Sequence, residues 1–143
     1  MDKLFLDANV VIDFLCERSD NFYKPAAWLM VKGYNKEVNL CCSTLTLATA
    51  SYLMERSKID HTEVLRKISD MISICELANV DRNVVTQALS SEFLDFEDAM
   101  QYFSAKEWGA DMIITRNKKD FKNSHIPVYE PMEYLAIFGN KNI

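Results

Sequence analysis

The strongest constraint in this sequence is a repeated pairing, in which a short apolar run stops at a polar residue and a helix-like segment follows. Lys3-Leu4-Phe5-Leu6 ends at Asp7, and Met112-Ile113-Ile114-Thr115 runs into the charged turn Arg116-Asn117-Lys118-Lys119-Asp120. Apolar runs this short fit buried strands rather than helices. Val38–Cys42 and Ser73–Leu77 are two further strand candidates, and Val128-Tyr129 is a short fifth. Strands separated by helices at this spacing predict an α/β fold, a three-layer α/β/α sandwich around a central parallel sheet of about five strands. Open sheets of this kind gather ligands outside the carboxyl ends of their strands, which is where Asp7 falls.

The intervening segments carry helix signals. Val10, Val11, Ile12, Phe14 and Leu15 read as a buried strand-to-helix transition, with Asp13 expected as a solvated side chain. A helix is expected within Asp20–Tyr34, and Pro25 suits only a first turn, which places its start near Tyr23 or Lys24. Ser43 or Thr44 caps a helix over about Leu45–Ser57. Asp60 with Glu63 forms a capping box for the next. Asp81 caps a short helix through Leu89, Asp95 opens an acid-led helix closed by Gly109, and Pro131–Phe138 supplies a last turn or two. No repeat or linker interrupts the 143 residues, so one domain is expected, large enough to bury about 70% of its unfolded surface.

Composition removes several function classes. No apolar run reaches membrane-spanning length, and the start lacks a basic end and apolar core, so a cytoplasmic protein is expected. Cys16, Cys41, Cys42 and Cys75 include no C-x-x-C pair, and His61 and His125 stand alone, which predicts free thiols rather than a zinc site. Each histidine reads as a bystander. The three glycines are scattered, so no phosphate-cradling loop is present. A net charge of −5 disfavours a broad nucleic-acid surface but not a nuclease, because a metal-loaded acidic site attracts phosphate locally.

Carboxylates remain as the chemistry. Asp95 and Asp98 lie three apart on one helix face, with Cβ atoms about 5–6 Å apart. As a pair they also suit helix capping, so their meaning depends on company. Asp7 at one strand end and Asp120 after another supply that company. Mg²⁺ and Mn²⁺ take hard oxygen ligands, often one or two carboxylates with waters and substrate phosphates, and activate water for attack on a phosphodiester. A phosphotransferase of the haloacid-dehalogenase type would need a second aspartate at position 9, where Asn9 stands.

The blocks Leu6-Asp7-Ala8-Asn9-Val10, Asp95-Phe96-Glu97-Asp98-Ala99-Met100-Gln101 and Ile113-Ile114-Thr115-Arg116-Asn117-Lys118-Lys119-Asp120-Phe121 resemble the three best-marked blocks of the PIN domain. The likeness runs along essentially the whole chain and is strongest to VapC-like toxin ribonucleases of type II toxin–antitoxin pairs. It implies a PIN-like fold, a homodimer, cleavage of RNA with Mg²⁺ or Mn²⁺, and a small antitoxin partner. Residue by residue, it makes Asp7, Asp98 and Asp120 metal ligands, with Asp95, Asp120 and Asn117 as outer ligands or water-orienting groups. Thr115, Arg116, Lys118 and Lys119 would contact RNA. Two positions depart from the pattern: Thr49 stands where a glutamate is common, with Glu55 too far along to replace it, and Asn117 stands where aspartate is common. Those departures keep a second reading open, a degenerate PIN-like module that binds RNA or protein without cleaving.

Overall fold

The computed structural model describes residues 1–139. In chain order the elements are β1 (Lys3–Leu6), α1 (Ala8–Leu15), α2 (Asp20–Tyr34), β2 (Asn39–Ser43), α3 (Thr44–Arg56), α4 (His61–Ile72), β3 (Cys75–Ala78), α5 (Arg82–Leu89), α6 (Phe96–Trp108) and β4 (Met112–Ile114). A 3₁₀ turn (Lys118–Phe121), β5 (Val128–Tyr129) and α7 (Pro131–Phe138) follow. All strand pairings are parallel and the order is β3-β2-β1-β4-β5.

Alternation along the strands sorts the core into two faces. Leu4, Leu6, Leu40, Cys42 and Ile114 pack with residues of α1, α2, α3, α4 and α7, among them Val10, Leu29, Met54, Met71 and Tyr134. Phe5, Cys41 and Ile113 face the other way, onto Tyr102 and Ala105 of α6 and Phe121. This is the period-2 signature of a sheet covered on both sides, and it gives the three layers. The central strand β1 has β2 on one side and β4 on the other, and the chain reverses its winding direction between them. That reversal opens a crevice at the carboxyl ends of β1 and β4, where Asp7 N–H donates to the Ile114 carbonyl at 2.9 Å.

Several boundaries differ from expectation. Helix α2 begins at Asp20, so Pro25 lies well inside it. The Asn21 carbonyl that the missing Pro25 N–H would have satisfied belongs to an exposed residue, and water can take its place. Asp60 caps α4 by accepting from the Thr62 N–H at 3.2 Å, but Glu63 turns to Arg66 instead of closing a box. Strand β3 starts at Cys75 because Ser73 ends α4. Gly109 closes α6 at φ 87°, a left-handed position that glycine reaches without strain. All four cysteines are free thiols, and none of the helices among the described residues is long and apolar enough to cross a membrane.

Candidate functional site

Asp7 follows β1 and forms the N-cap of α1, so its side chain is held at the mouth of the crevice while its backbone closes the sheet. It is 5% exposed. Its Oδ2 accepts from Thr115 Oγ1 at 2.8 Å and from Asn9 Nδ2 at 3.0 Å, and its Oδ1 accepts from Gln101 Nε2 at 3.4 Å. Burial raises its pKa most; Thr115, the Ala8 N–H and Gln101 oppose that shift, and the Glu97 charge adds to it.

Asp98 arrives from the opposite wall, in the first turn of α6. The Asp95 side chain caps that helix, accepting from the Asp98 N–H at 2.9 Å, so the capping role anticipated for the pair is real and coexists with the site. The Asp98 carboxyl is pushed up to about 7 by partial burial and then by the charges of Asp7, Asp95, Asp120 and Glu97. A carboxyl so placed demands a proton or a cation at neutral pH. The cavity in front of it has a volume of about 290 Å³ and is lined by Leu94, Asp95, Asp98, Lys119, Asp120, Lys122 and Asn123. A larger groove of about 850 Å³ between α2 and α7 shares no residue with this site.

The carboxylates suit a hard divalent ion because all their donor atoms are oxygens, and Asp95, Asp98 and Asp120 face the cavity, with Lys119 and Lys122 also in its lining. Among the described residues no three acidic, histidine or cysteine side chains form a ready-made ligand cluster. An ion here would be held by Asp7 and Asp98 with waters completing the shell, the usual manner of Mg²⁺.

Of the four acids expected to share a site, Asp95, Asp98 and Asp120 line the cavity, whereas Asp7 does not line it and is buried beneath, acting on Asp98 through its charge. Asn117 stands on the same loop, its backbone N–H donating to Thr115 Oγ1 at 3.1 Å. The expected RNA contacts divide. Thr115 is fully buried and bonded to Asp7, so it supports a carboxylate and does not reach phosphate. Arg116 is committed to Asp13, with Nε to Oδ2 at 2.6 Å and Nη2 to Oδ1 at 3.3 Å, and stacks 4.0 Å over the Phe22 ring. Lys118 pairs with Glu133 at 3.0 Å on the surface. Lys119 borders the acidic cavity, and Lys122, not singled out from sequence, joins it. Thr49 donates to the Leu45 carbonyl of its own helix, and Glu55 pairs with His61 in an exposed contact, so neither supplies the site.

Asp13 is the clearest correction. Expected in solvent, it is 1% exposed and meets Arg116 and, at 3.8 Å, Arg18. A lone acid inside the run Val10–Leu15 was the available signal. Asn9, Gln101 and Thr46 were also missed as site residues. Asn9 holds Asp7 and accepts the Arg116 N–H at 3.2 Å, stapling the loop after β4 to α1.

Comparison with known proteins agrees with this fold. A family model described as the PIN domain matches residues 3–119. The chain is 30% identical over 138 residues to Ribonuclease VapC1 of Aquifex aeolicus (strain VF5), covering 93% of each. Among solved structures, VapBC2 from Rickettsia felis bound to a promoter DNA fragment superposes with a TM-score of 0.66 at 17% identity, covering 90% of this chain and 98% of that one. DNA-bound VapBC from Salmonella typhimurium gives 0.66 at 20% identity, covering 92% and 99%. VapC20 of Mycobacterium tuberculosis, described as a sarcin-ricin-loop-cleaving toxin, gives 0.56 at 13% identity over 77% and 86%.

Proposed function

We propose, for a chain that belongs to the PIN-domain family, that it is a Mg²⁺- or Mn²⁺-dependent endoribonuclease and the toxin of a type II toxin–antitoxin pair. The observation that carries this reading is Asp98, which lines an open cavity with Asp95, Asp120 and two lysines and whose carboxyl is raised to about 7 by partial burial and then by the surrounding acids. The curated relative named a ribonuclease supports RNA as substrate, and the solved VapBC assemblies support a small antitoxin as partner.

When bound, the divalent ion supplies Lewis acidity toward a phosphodiester and lowers the pKa of water. The chain's own residues do the rest. Asp7, fixed through both oxygens, and Asp98, ionised once a cation is present, fix where positive charge sits. Lys119 and Lys122 draw the RNA backbone to the rim of an otherwise acidic protein. Asp120, and the Asp95 oxygen not used in capping, stand at the cavity wall to accept the proton released by the attacking water.

The degenerate module remains the second reading, supported by Thr49 turned into its own helix and by Asn117 in place of an acid. The discriminating experiment incubates purified, antitoxin-free protein with mixed RNAs and Mg²⁺ or Mn²⁺, with and without EDTA. Cleavage that EDTA abolishes supports the nuclease; ion binding with every RNA left intact supports the module. Because Asp98 must lose a proton to hold a cation, Mn²⁺ affinity rises with pH and levels off above about 7, which calorimetry at several pH values reads directly.

The same reading makes the protein a cytoplasmic, single-domain homodimer. Large apolar side chains left in solvent, Trp28 and Tyr34 among them, are consistent with a further interface. Light scattering at micromolar concentration is expected to give twice the chain mass; a clean monomer mass would remove this part of the reading.

A further inference from the structure

We infer that Gln101, backed by Thr46, is a positioning residue that sets the orientation of the Asp7 carboxylate; the inference rests on the metal-dependent nuclease reading. Gln101 lies one helical turn beyond Asp98 on α6 and is 1% exposed. Its Nε2 donates to Thr46 Oγ1 at 2.9 Å and to Asp7 Oδ1 at 3.4 Å. Thr46 is itself buried near the start of α3, within 3.1 Å of Ser43 Oγ. A chain of neutral hydrogen bonds therefore runs from β2 and α3 through α6 to the carboxylate.

Packing alone would not choose glutamine here. Its Oε1 is buried and has no hydrogen-bond partner among the described residues, an arrangement that disfavours the fold. A methionine of similar length would fill the same space without the orphaned Oε1, but would lose the donor to Asp7 Oδ1 and Thr46 Oγ1. What the amide does is aim an N–H at Asp7 Oδ1, whose other oxygen is held by Thr115 and Asn9. With both oxygens tied, rotation of the carboxylate is blocked and its remaining lone pairs keep one direction. Supporting bonds of this kind orient ligands, and their loss weakens metal affinity about 10- to 100-fold.

The test compares wild type with Gln101→Met, Thr46→Val and Thr46→Ser. Mn²⁺ affinity is read by calorimetry, melting temperature in EDTA, and kcat and KM on one RNA. Gln101→Met is expected to stay folded and melt close to wild type, relief of the orphaned Oε1 offsetting the donor lost by Asp7 and Thr46. It is nonetheless expected to bind Mn²⁺ about tenfold more weakly, with kcat reduced and KM for RNA unchanged. Thr46→Val moves the same way by less, and Thr46→Ser, which keeps the hydroxyl, restores wild-type values. A Gln101→Met protein that melts lower but binds Mn²⁺ as wild type does would make the glutamine structural and overturn the inference. Should Gln101→Met fail to fold, the Thr46 pair decides, and equal Mn²⁺ affinity in both overturns it. A wild type that binds no Mn²⁺ instead removes the parent reading, and this inference with it.

Discussion

Asp98→Asn lowers metal-dependent RNA cleavage by more than about a hundredfold, beyond what losing an outer-shell partner costs, and leaves a metal-free protein that is folded and, above pH 7, more stable than wild type. The two effects share one cause. Asp98 has a folded-state pKa of about 7 against an ordinary value of 3.8, so between those values the folded state holds a proton that the unfolded chain releases. Wild-type stability without metal therefore falls as pH rises from about 4 to 7. Asparagine carries no charge to repel Asp7, Asp95 and Asp120, and its backbone N–H still meets the Asp95 cap. Because Asp98 is only half-buried, solvent screening limits the gain to about 1 kcal/mol, part of which the lost interaction with the helix N-terminus offsets. Thermal unfolding in EDTA at pH 5 and pH 8 checks the sign. The variant's advantage over wild type should be small at pH 5 and larger at pH 8; an equal deficit at both would make Asp98 a plain helix-start residue.

Arg116→Met produces the largest loss of stability, about 3 kcal/mol or more at neutral pH, the usual result of stripping the partner from a buried charge. Asp13 is almost wholly enclosed and Arg18 touches it only at 3.8 Å, so the lost guanidinium is not replaced. Burial already raises the Asp13 pKa, while Arg116 and Arg18 hold it down. Without Arg116 it rises further, and the folded variant binds a proton that the unfolded chain does not. The deficit is then full above that raised pKa and shrinks as pH falls toward 5. Urea unfolding at pH 5 and 7.5 reads both numbers. Adding Asp13→Asn should recover much of the loss, because the uncompensated charge is gone. A deficit that neither acid nor the second substitution relieves would place the role of Arg116 in its stacking on Phe22.

What the sequence made legible was local. Strand runs ending at Asp7 and Thr115, the cap at Asp95 and the stop at Gly109 are each written within a few neighbouring residues, and they suffice for the layered sheet and the acidic edge. What escaped depends on partners distant in the chain. Asp13 and Arg116 are 103 residues apart, and Gln101 and Asp7 are 94 apart. Neither pairing has a local signature, so Asp13 passed for a surface acid, Arg116 for a phosphate contact and Gln101 for part of a motif without a task. Pro25 misled for the related reason that an exposed carbonyl can tolerate its missing donor, which only the fold shows.

The most direct measurement of the central claim is calorimetric titration of Mn²⁺ into wild type, Asp7→Asn and Asp98→Asn, each paired with the same RNA cleavage assay. Wild type is expected to bind Mn²⁺ and cleave, and both variants to lose affinity and cleavage together while remaining folded. Wild-type Mn²⁺ affinity in both variants would contradict the claim that Asp7 and Asp98 form the metal site.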